Sequence, residues 1–137
     1  VQLKLMVVGS EIKGKKVMIV DDSIVRGTTS RRLIETLKNA GASEVYFVST
    51  CPPIKSPCYF GIDFPLKSEL MAAQLDEVGI ADALGANKVI YQDMEGLQEA
   101  LEQKGLCVGC INGQYPFDVS VAGQKFEQNR KISQGVG

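Results

Sequence analysis

The stretch "KKVMIVDDSIVRGTTSRR", residues 15–32, decides how this chain is read. A continuous apolar run with β-branched residues, "KVMIVD", ends on two adjacent carboxylates, Asp21 and Asp22. A short loop of Ser, Arg, Gly and Thr follows, and then a helical pattern begins. The run suits a central parallel strand buried on both faces. The carboxyl end of such a strand, with a helix starting next, is where open α/β sheets bind ligands. The acidic pair could hold a metal beside an aspartate that is phosphorylated, or the hydroxyls of a phosphorylated sugar.

The loop favours the sugar phosphate. Gly27 lets the backbone approach a phosphate closely, and the amides of residues 26–29 can turn into the concavity as the helix begins. The hydroxyls of Thr28, Thr29 and Ser23 add donors. A polarised cup a few residues from two carboxylates suits a ligand with phosphate at one end and hydroxyls, or a hydrated Mg²⁺, at the other. The plainer reading is that Asp-Asp-Ser caps a helix and makes a turn, but it leaves Gly27-Thr28-Thr29 and the paired acids unexplained.

Outward from this stretch, β and α patterns alternate. "VQLKLMVV" reads as a strand and "GSEIKGK" as a turn with two glycines. Thr29 or Ser30 caps a helix whose apolar stripe is Leu33, Ile34 and Leu37, closed by Gly41. "EVYFVST" is the next strand, at βαβ spacing. A Pro-rich loop, "CPPIKSPCYFGIDFP", precedes short helices in "KSELMAAQ" and "DEVGIADALGA". A strand "KVIYQD" and a helix "MEGLQEALEQ" then follow. The fold class is α/β, a parallel sheet flanked by helices. The pattern fades after residue 104. The chain therefore divides into 1–104 and a cysteine-containing extension with a polar tail, 105–137.

Composition narrows the function. The chain has 137 residues, 45% apolar and 23% charged, with a net charge of −1. Its Lys and Arg are scattered, which does not favour a nucleic-acid or lipid partner. No apolar run approaches the ~20 residues of a membrane span, so a cytoplasmic location is expected. There is no histidine, which removes Ser-His and Cys-His catalysis and imidazole metal sites. The four cysteines, Cys51, Cys58, Cys107 and Cys110, favour metal, cluster or spectator roles over disulfides in such a chain. "CVGC" at 107–110 has spacing suited to metal or iron–sulfur ligation. A redox pair is its rival, although redox motifs usually open a helix after a strand.

Two look-alikes fail. Response-regulator receivers also open with a strand and an acidic pair, and Asp63 lies about where their phosphorylated aspartate would fall. The segment leading into it, "SPCYFG", carries Pro57 and Gly61 where a buried strand needs apolar residues. "KVIYQD" also ends without the late lysine that a receiver requires. "GSEIKGKK" nearly spells a nucleotide-binding P-loop, but it leads into a strand rather than out of one.

The stretch 17–29, "VMIVDDSIVRGTT", resembles the phosphoribosyl-diphosphate (PRPP) motif of type I phosphoribosyltransferases. Within them, "VDDSIVRGTTSRR" is most similar to the glutamine-dependent branch that begins purine synthesis. "GASEVYF", "PCYFGIDFP", "GANKVIYQDMEGL" and the C-x-x-C-x-N-G-x-Y-P ending agree, so the likeness covers most of residues 11–117.

The resemblance implies a partial type I phosphoribosyltransferase fold, Rossmann-like. It also implies the reaction of PRPP with glutamine to give 5-phosphoribosylamine, the first step of de novo purine biosynthesis. Asp21 and Asp22 would meet the ribose hydroxyls and Mg²⁺, and Ser23, Val25, Arg26, Gly27, Thr28 and Thr29 the 5-phosphate. Ammonia from glutamine would displace pyrophosphate through an oxocarbenium-like transition state, governed by charge placement and exclusion of water. Cys58, Cys107 and Cys110 would ligate a [4Fe–4S] cluster, whose fourth ligand falls before residue 1. Cys51 matches no ligand position. Purine nucleotides as inhibitors and a homo-oligomer are further implications.

The same likeness leads one to expect a C-terminal piece that lacks the glutaminase domain and the first part of the transferase domain, inactive by itself. No catalytic residue is assigned within it. Outside the enzymes, a PRPP- or nucleotide-binding regulator with the same fold is the alternative.

Overall fold

A computed structural model describes residues 7–133. The proposed strand "VQLKLMVV" falls mostly on residues 1–6, outside the described residues. The sheet is built from β1 (Lys16–Asp21), β2 (Glu44–Ser49) and β3 (Lys88–Tyr91), in that order and all parallel. Asp21 stands opposite Ser49, and Ser49 opposite Tyr91, so one register line crosses the carboxyl end of the sheet.

The helices are α1 (Gly9–Ile12), α2 (Thr28–Asn39), α3 (Met71–Gln74), α4 (Glu77–Leu84), α5 (Met94–Leu101), α6 (Gly109–Asn112) and α7 (Ser120–Ser133). The segment read as a turn, "GSEIKGK", makes one helical turn, α1, before bending at Lys13 and Gly14. "KSELMAAQ" divides into a 3-10 turn, Lys67–Glu69, and α3, because Leu70 between them is extended.

One face of the sheet carries the core. Val45, Phe47 and Val89 alternate onto it and are fully buried against Ile34 and Leu37 of α2 and Ile80, Ala81 and Leu84 of α4. The period-2 strands and the period-3.6 helices thus present matching apolar faces. The opposite face differs from expectation. In β1, Met18 and Val20 are more than three-fifths exposed, and in β3 Ile90 is also open. β1 is therefore an edge strand of the described sheet, and β2 takes the central place. An apolar run marks a strand able to be buried on both sides, but it does not say what lies beside it.

Residues 105–133 hold more regular structure than their polarity implies. Asp118 accepts the N–H of Ser120 at 2.9 Å, and α7 runs on from there for fourteen residues. Phe126 meets the edge of the Tyr59 ring at 5.5 Å, and the Arg130 guanidinium lies 5.4 Å from the centre of the Phe126 ring and pairs with Asp63. Phe126 and Arg130, one turn apart, are the signal that a polar composition hides.

Candidate functional site

The carboxyl end of β1 opens into a hollow of about 430 Å³ lined by Asp21, Asp22, Ser23, Val25, Arg26, Gly27, Thr28, Thr29 and Ser30. All eight residues proposed from the sequence to hold the sugar phosphate stand together there. Ser30 joins them, and sequence reasoning had considered it only as a cap. Neither Thr29 nor Ser30 caps α2. The N-cap is Gly27, in the left-handed region at φ 71°, and no side chain closes the helix end. The first turn of α2, with its dipole, is left facing the hollow.

The backbone fixes both ends of this loop. Asp21 Oδ1 accepts the N–H of Asp22 at 2.9 Å, which tucks the first carboxylate back, and Asp22 Oδ1 accepts the hydroxyl of Ser23 at 3.3 Å. Asp21 is partly covered, whereas Asp22 is open to solvent. Ile24 is buried beneath the loop, and the carbonyl of Val25 accepts the N–H of Met71 at 3.0 Å. Met71 and Leu84 press against the α-carbon of Gly27. An added Cβ there would lie 2.7 Å from Leu84 Cδ2 and closer still to the Met71 sulfur.

Arg26 lines the hollow, yet its Nε donates to Glu69 Oε1 at 3.0 Å. Glu69 Oε2 accepts the N–H of Leu66 at 3.0 Å, so the pair ties the loop to the 3-10 turn. Sequence reasoning missed Glu69 and Met71, because contacts made 43 and 46 residues downstream leave no local pattern.

The cysteines lie near one another around the loop that follows β2. The carbonyl of Cys110 accepts the N–H groups of both Lys55 and Ser56 at 2.9 Å. Tyr115 donates its hydroxyl to the carbonyl of Pro57 at 2.6 Å, and Cys58 Sγ accepts the N–H of Phe60 at 3.4 Å. The rings of Tyr59 and Phe60 flank Tyr115, with centroids 5.0 and 6.2 Å away. Burial pushes the Cys110 thiol up, and the neighbouring Cys58 and Cys107 add to this. Burial also raises Cys51, helped by Cys110 and Asp22. "CVGC" contributes its second cysteine to the four-residue α6 and does not follow a strand, unlike a redox motif.

No three Cys, Asp or Glu side chains among the described residues stand close enough to share one ion. Cys58, Cys107 and Cys110 are neighbours without being a closed single-metal cage. Asp63, the phosphorylation candidate of the receiver reading, is exposed in a loop and paired with Arg130.

The phosphoribosyl transferase domain family matches residues 3–59. The chain is 48% identical over 120 residues to the amidophosphoribosyltransferase of Methanocaldococcus jannaschii, covering 88% of this chain and 26% of that protein. With the Bacillus subtilis enzyme it shares 40% over 125 residues, 87% of this chain and 26% of that one. A solved structure of the B. subtilis glutamine PRPP amidotransferase, complexed with ADP and GMP, superposes with a TM-score of 0.79 at 40% identity. The match covers 87% of this chain and 28% of that one. Over most of its length the chain is a homologue of one part of the amidophosphoribosyltransferases. It spans about a quarter of the length of the curated relatives it matches.

The amidophosphoribosyltransferase match agrees with the fold, a type I phosphoribosyltransferase sheet with its helices. It covers the hollow and reaches beyond it, since 88% of the chain cannot be aligned without the later helices or the segment that carries the cysteines. Among the described residues, no helix is long and apolar enough to cross a membrane.

Proposed function

We propose that this chain supplies the 5-phosphate and ribose part of a PRPP site in an enzyme that makes 5-phosphoribosylamine from PRPP and glutamine, the first step of de novo purine synthesis. One observation carries the reading. A single hollow has two carboxylates at one end and an uncapped helix start on a left-handed glycine at the other. Ser23, Val25, Arg26, Gly27, Thr28 and Thr29 hold the phosphate, largely through N–H and hydroxyl donors. Asp21 and Asp22 face the ribose hydroxyls and Mg²⁺. Two carboxylates suit Mg²⁺, which keeps water and substrate oxygens for its remaining positions. The ion would add charge neutralisation at the departing pyrophosphate.

Cys58, Cys107 and Cys110 are the ligands for a [4Fe–4S] cluster. Their donor chemistry fits, since thiolates are the usual cluster ligands. Their arrangement is also compatible, because a cluster of several irons takes one thiolate at each and needs no single-ion cage. Residues 105–137 then form an extension that this group would tie to the loop after β2. A cytoplasmic homo-oligomer inhibited by purine nucleotides completes the proposal, supported by the nucleotides bound to the B. subtilis relative.

Calorimetric titration of the chain with PRPP and Mg²⁺ tests the site. Saturable binding that Asp22→Asn abolishes is expected. Absence of binding, or binding indifferent to that change, would refute the assignment of the acidic pair.

A further inference from the structure

We infer that Ser49, at the end of the central strand, is a positioning residue for the acidic pair, acting through the bend at Thr50 and Cys51. The inference rests on the reading of Asp21 and Asp22 as the ribose- and magnesium-binding pair.

Ser49 is fully buried, one of two buried polar residues among the described residues, and lies opposite Asp21 in the register of β1 and β2. Beyond that register the ladder changes character. Thr50 donates its N–H to the carbonyl of Asp21, and Cys51 donates its N–H to the carbonyl of Asp22, both at 2.9 Å. In a regular parallel ladder, successive N–H groups of one strand point to opposite sides. Two in a row reaching the same neighbour require that β2 has turned out of its extended path.

The Ser49 hydroxyl holds that turn. It donates to the carbonyl of Cys51 at 2.7 Å, a side-chain bond to the backbone two residues on. The carbonyl of Asp22, at 3.4 Å from the same oxygen, is much the longer and weaker contact. A hydroxyl has one proton, so the bond to Cys51 takes it. Pro52 and Pro53 follow and carry no N–H, so neither can donate to close the bend in its place.

The consequence runs to the ligand side. Both carbonyls that follow the acidic α-carbons are held by amides whose positions depend on this bend. Without the hydroxyl, the amides of Thr50 and Cys51 lose their fixed direction, and the carbonyls of Asp21 and Asp22 keep only the long contact from the Thr50 hydroxyl, at 3.5 Å, among the side-chain bonds of the described residues. The loop 25–29 is anchored separately, by Met71 and by the core beneath Ile24. Ser49 therefore affects the carboxylate end of the hollow and leaves the phosphate end intact.

Ser49→Ala and Ser49→Thr test this. Mg²⁺-PRPP affinity is read by calorimetry, and inorganic phosphate by the NMR shifts of the amides of residues 27–29. Ser49→Ala is expected to weaken Mg²⁺-PRPP about tenfold, the order of one lost hydrogen bond, with phosphate titrating as in the parent. Hydrogen exchange at the Thr50 and Cys51 amides should accelerate, and Ser49→Thr should restore both readouts. Unchanged PRPP affinity, or phosphate weakened in equal proportion, would overturn the role of Ser49. A parent chain that bound phosphate but not Mg²⁺-PRPP would instead overturn the acidic-pair reading beneath it, while the exchange data still judged the bend.

Discussion

Met71 sits directly beneath Gly27, its N–H bonded to the carbonyl of Val25 at 3.0 Å and its thioether occupying the space that a side chain at 27 would need. The phosphate loop thus rests on α3 rather than on its own strand. Gly27 is required twice, for φ 71° and for this contact. Gly27→Ala should cost roughly 1–2 kcal/mol for the left-handed backbone and about 1–3 kcal/mol for overpacking against Met71 and Leu84. Urea denaturation should show both. Adding Met71→Ala should recover the share of the overpacking due to Met71, but neither the Leu84 share nor the backbone cost.

Asp76 and Asp93 are built alike. Each caps a helix by accepting an N–H three residues on, from Gly79 at 2.8 Å and Gly96 at 2.7 Å. Replacing either by Ala should lower stability by about 0.5–2 kcal/mol, and by Asn much less. α4 packs on the core whereas α5 has no buried residue. Asp76→Ala should therefore shift the global unfolding midpoint, and Asp93→Ala should show mainly as local fraying in amide exchange around 94–101.

How far the sequence carried this reading depends on range. The βαβ unit from Lys16 to Ser49 was legible because its signals are local: an apolar run, a Gly-Thr-Thr turn, an Ile34/Leu37 stripe and a glycine stop. The hollow was legible for the same reason, since its nine lining residues are consecutive except for Ile24. What escaped was set by distant contacts. The exposure of Met18 and Val20 depends on what lies beside β1, and α7 is held through Tyr59 and Asp63, each 67 residues before its partner, Phe126 or Arg130. The arrest of Arg26 by Glu69 is of the same kind.

Tyr91 gives the alkaline behaviour of the fold. Its hydroxyl is buried and has no hydrogen-bond partner among the described residues, and burial, with smaller contributions from Glu77 and Cys51, pushes its pKa from 10.0 up to about 12. A group that releases its proton later in the fold than in the unfolded chain stabilises below the unfolded pKa, and this contribution is lost as pH rises. Tyr91 therefore withdraws stability between about pH 10 and 12. Cys51 and Cys110, raised from 9.0, begin the decline earlier. Tyr91→Phe should shrink the later phase, to which Tyr46, Tyr59 and Tyr115, also raised from 10.0, contribute the rest. It should also raise stability near neutral pH by up to about 1 kcal/mol, because an unpaired buried hydroxyl disappears. Denaturation midpoints from pH 7 to 11.5 would show this, and a Phe variant with the parent's full alkaline loss would contradict it.

Gly109, between the two cysteines of "CVGC", lies against the ring of Tyr115, so that an added Cβ would come within 2.6 Å of Cε1 and 2.9 Å of Cγ. The ring is held by the bond to Pro57 and packs against Tyr59, which limits how far it can yield. Gly109→Ala should therefore push Tyr115 off Pro57 and lift the Cys107–Cys110 segment from the loop that carries Cys58. In the parent, exposed Cys107 should react first with a disulfide reagent and Cys110 later, since burial raises its thiol. In Gly109→Ala, Cys110 should approach the rate of Cys107, and proteolysis between residues 104 and 120 should quicken. Tyr115→Phe loses only the hydrogen bond, at about 1 kcal/mol, and should keep the parental order of reactivity. If the three cysteines hold a cluster, Gly109→Ala should also lower bound iron and sulfide in anaerobically prepared protein, and Tyr115→Phe should not. Parental thiol kinetics in Gly109→Ala would show that Tyr115 does not dock this segment.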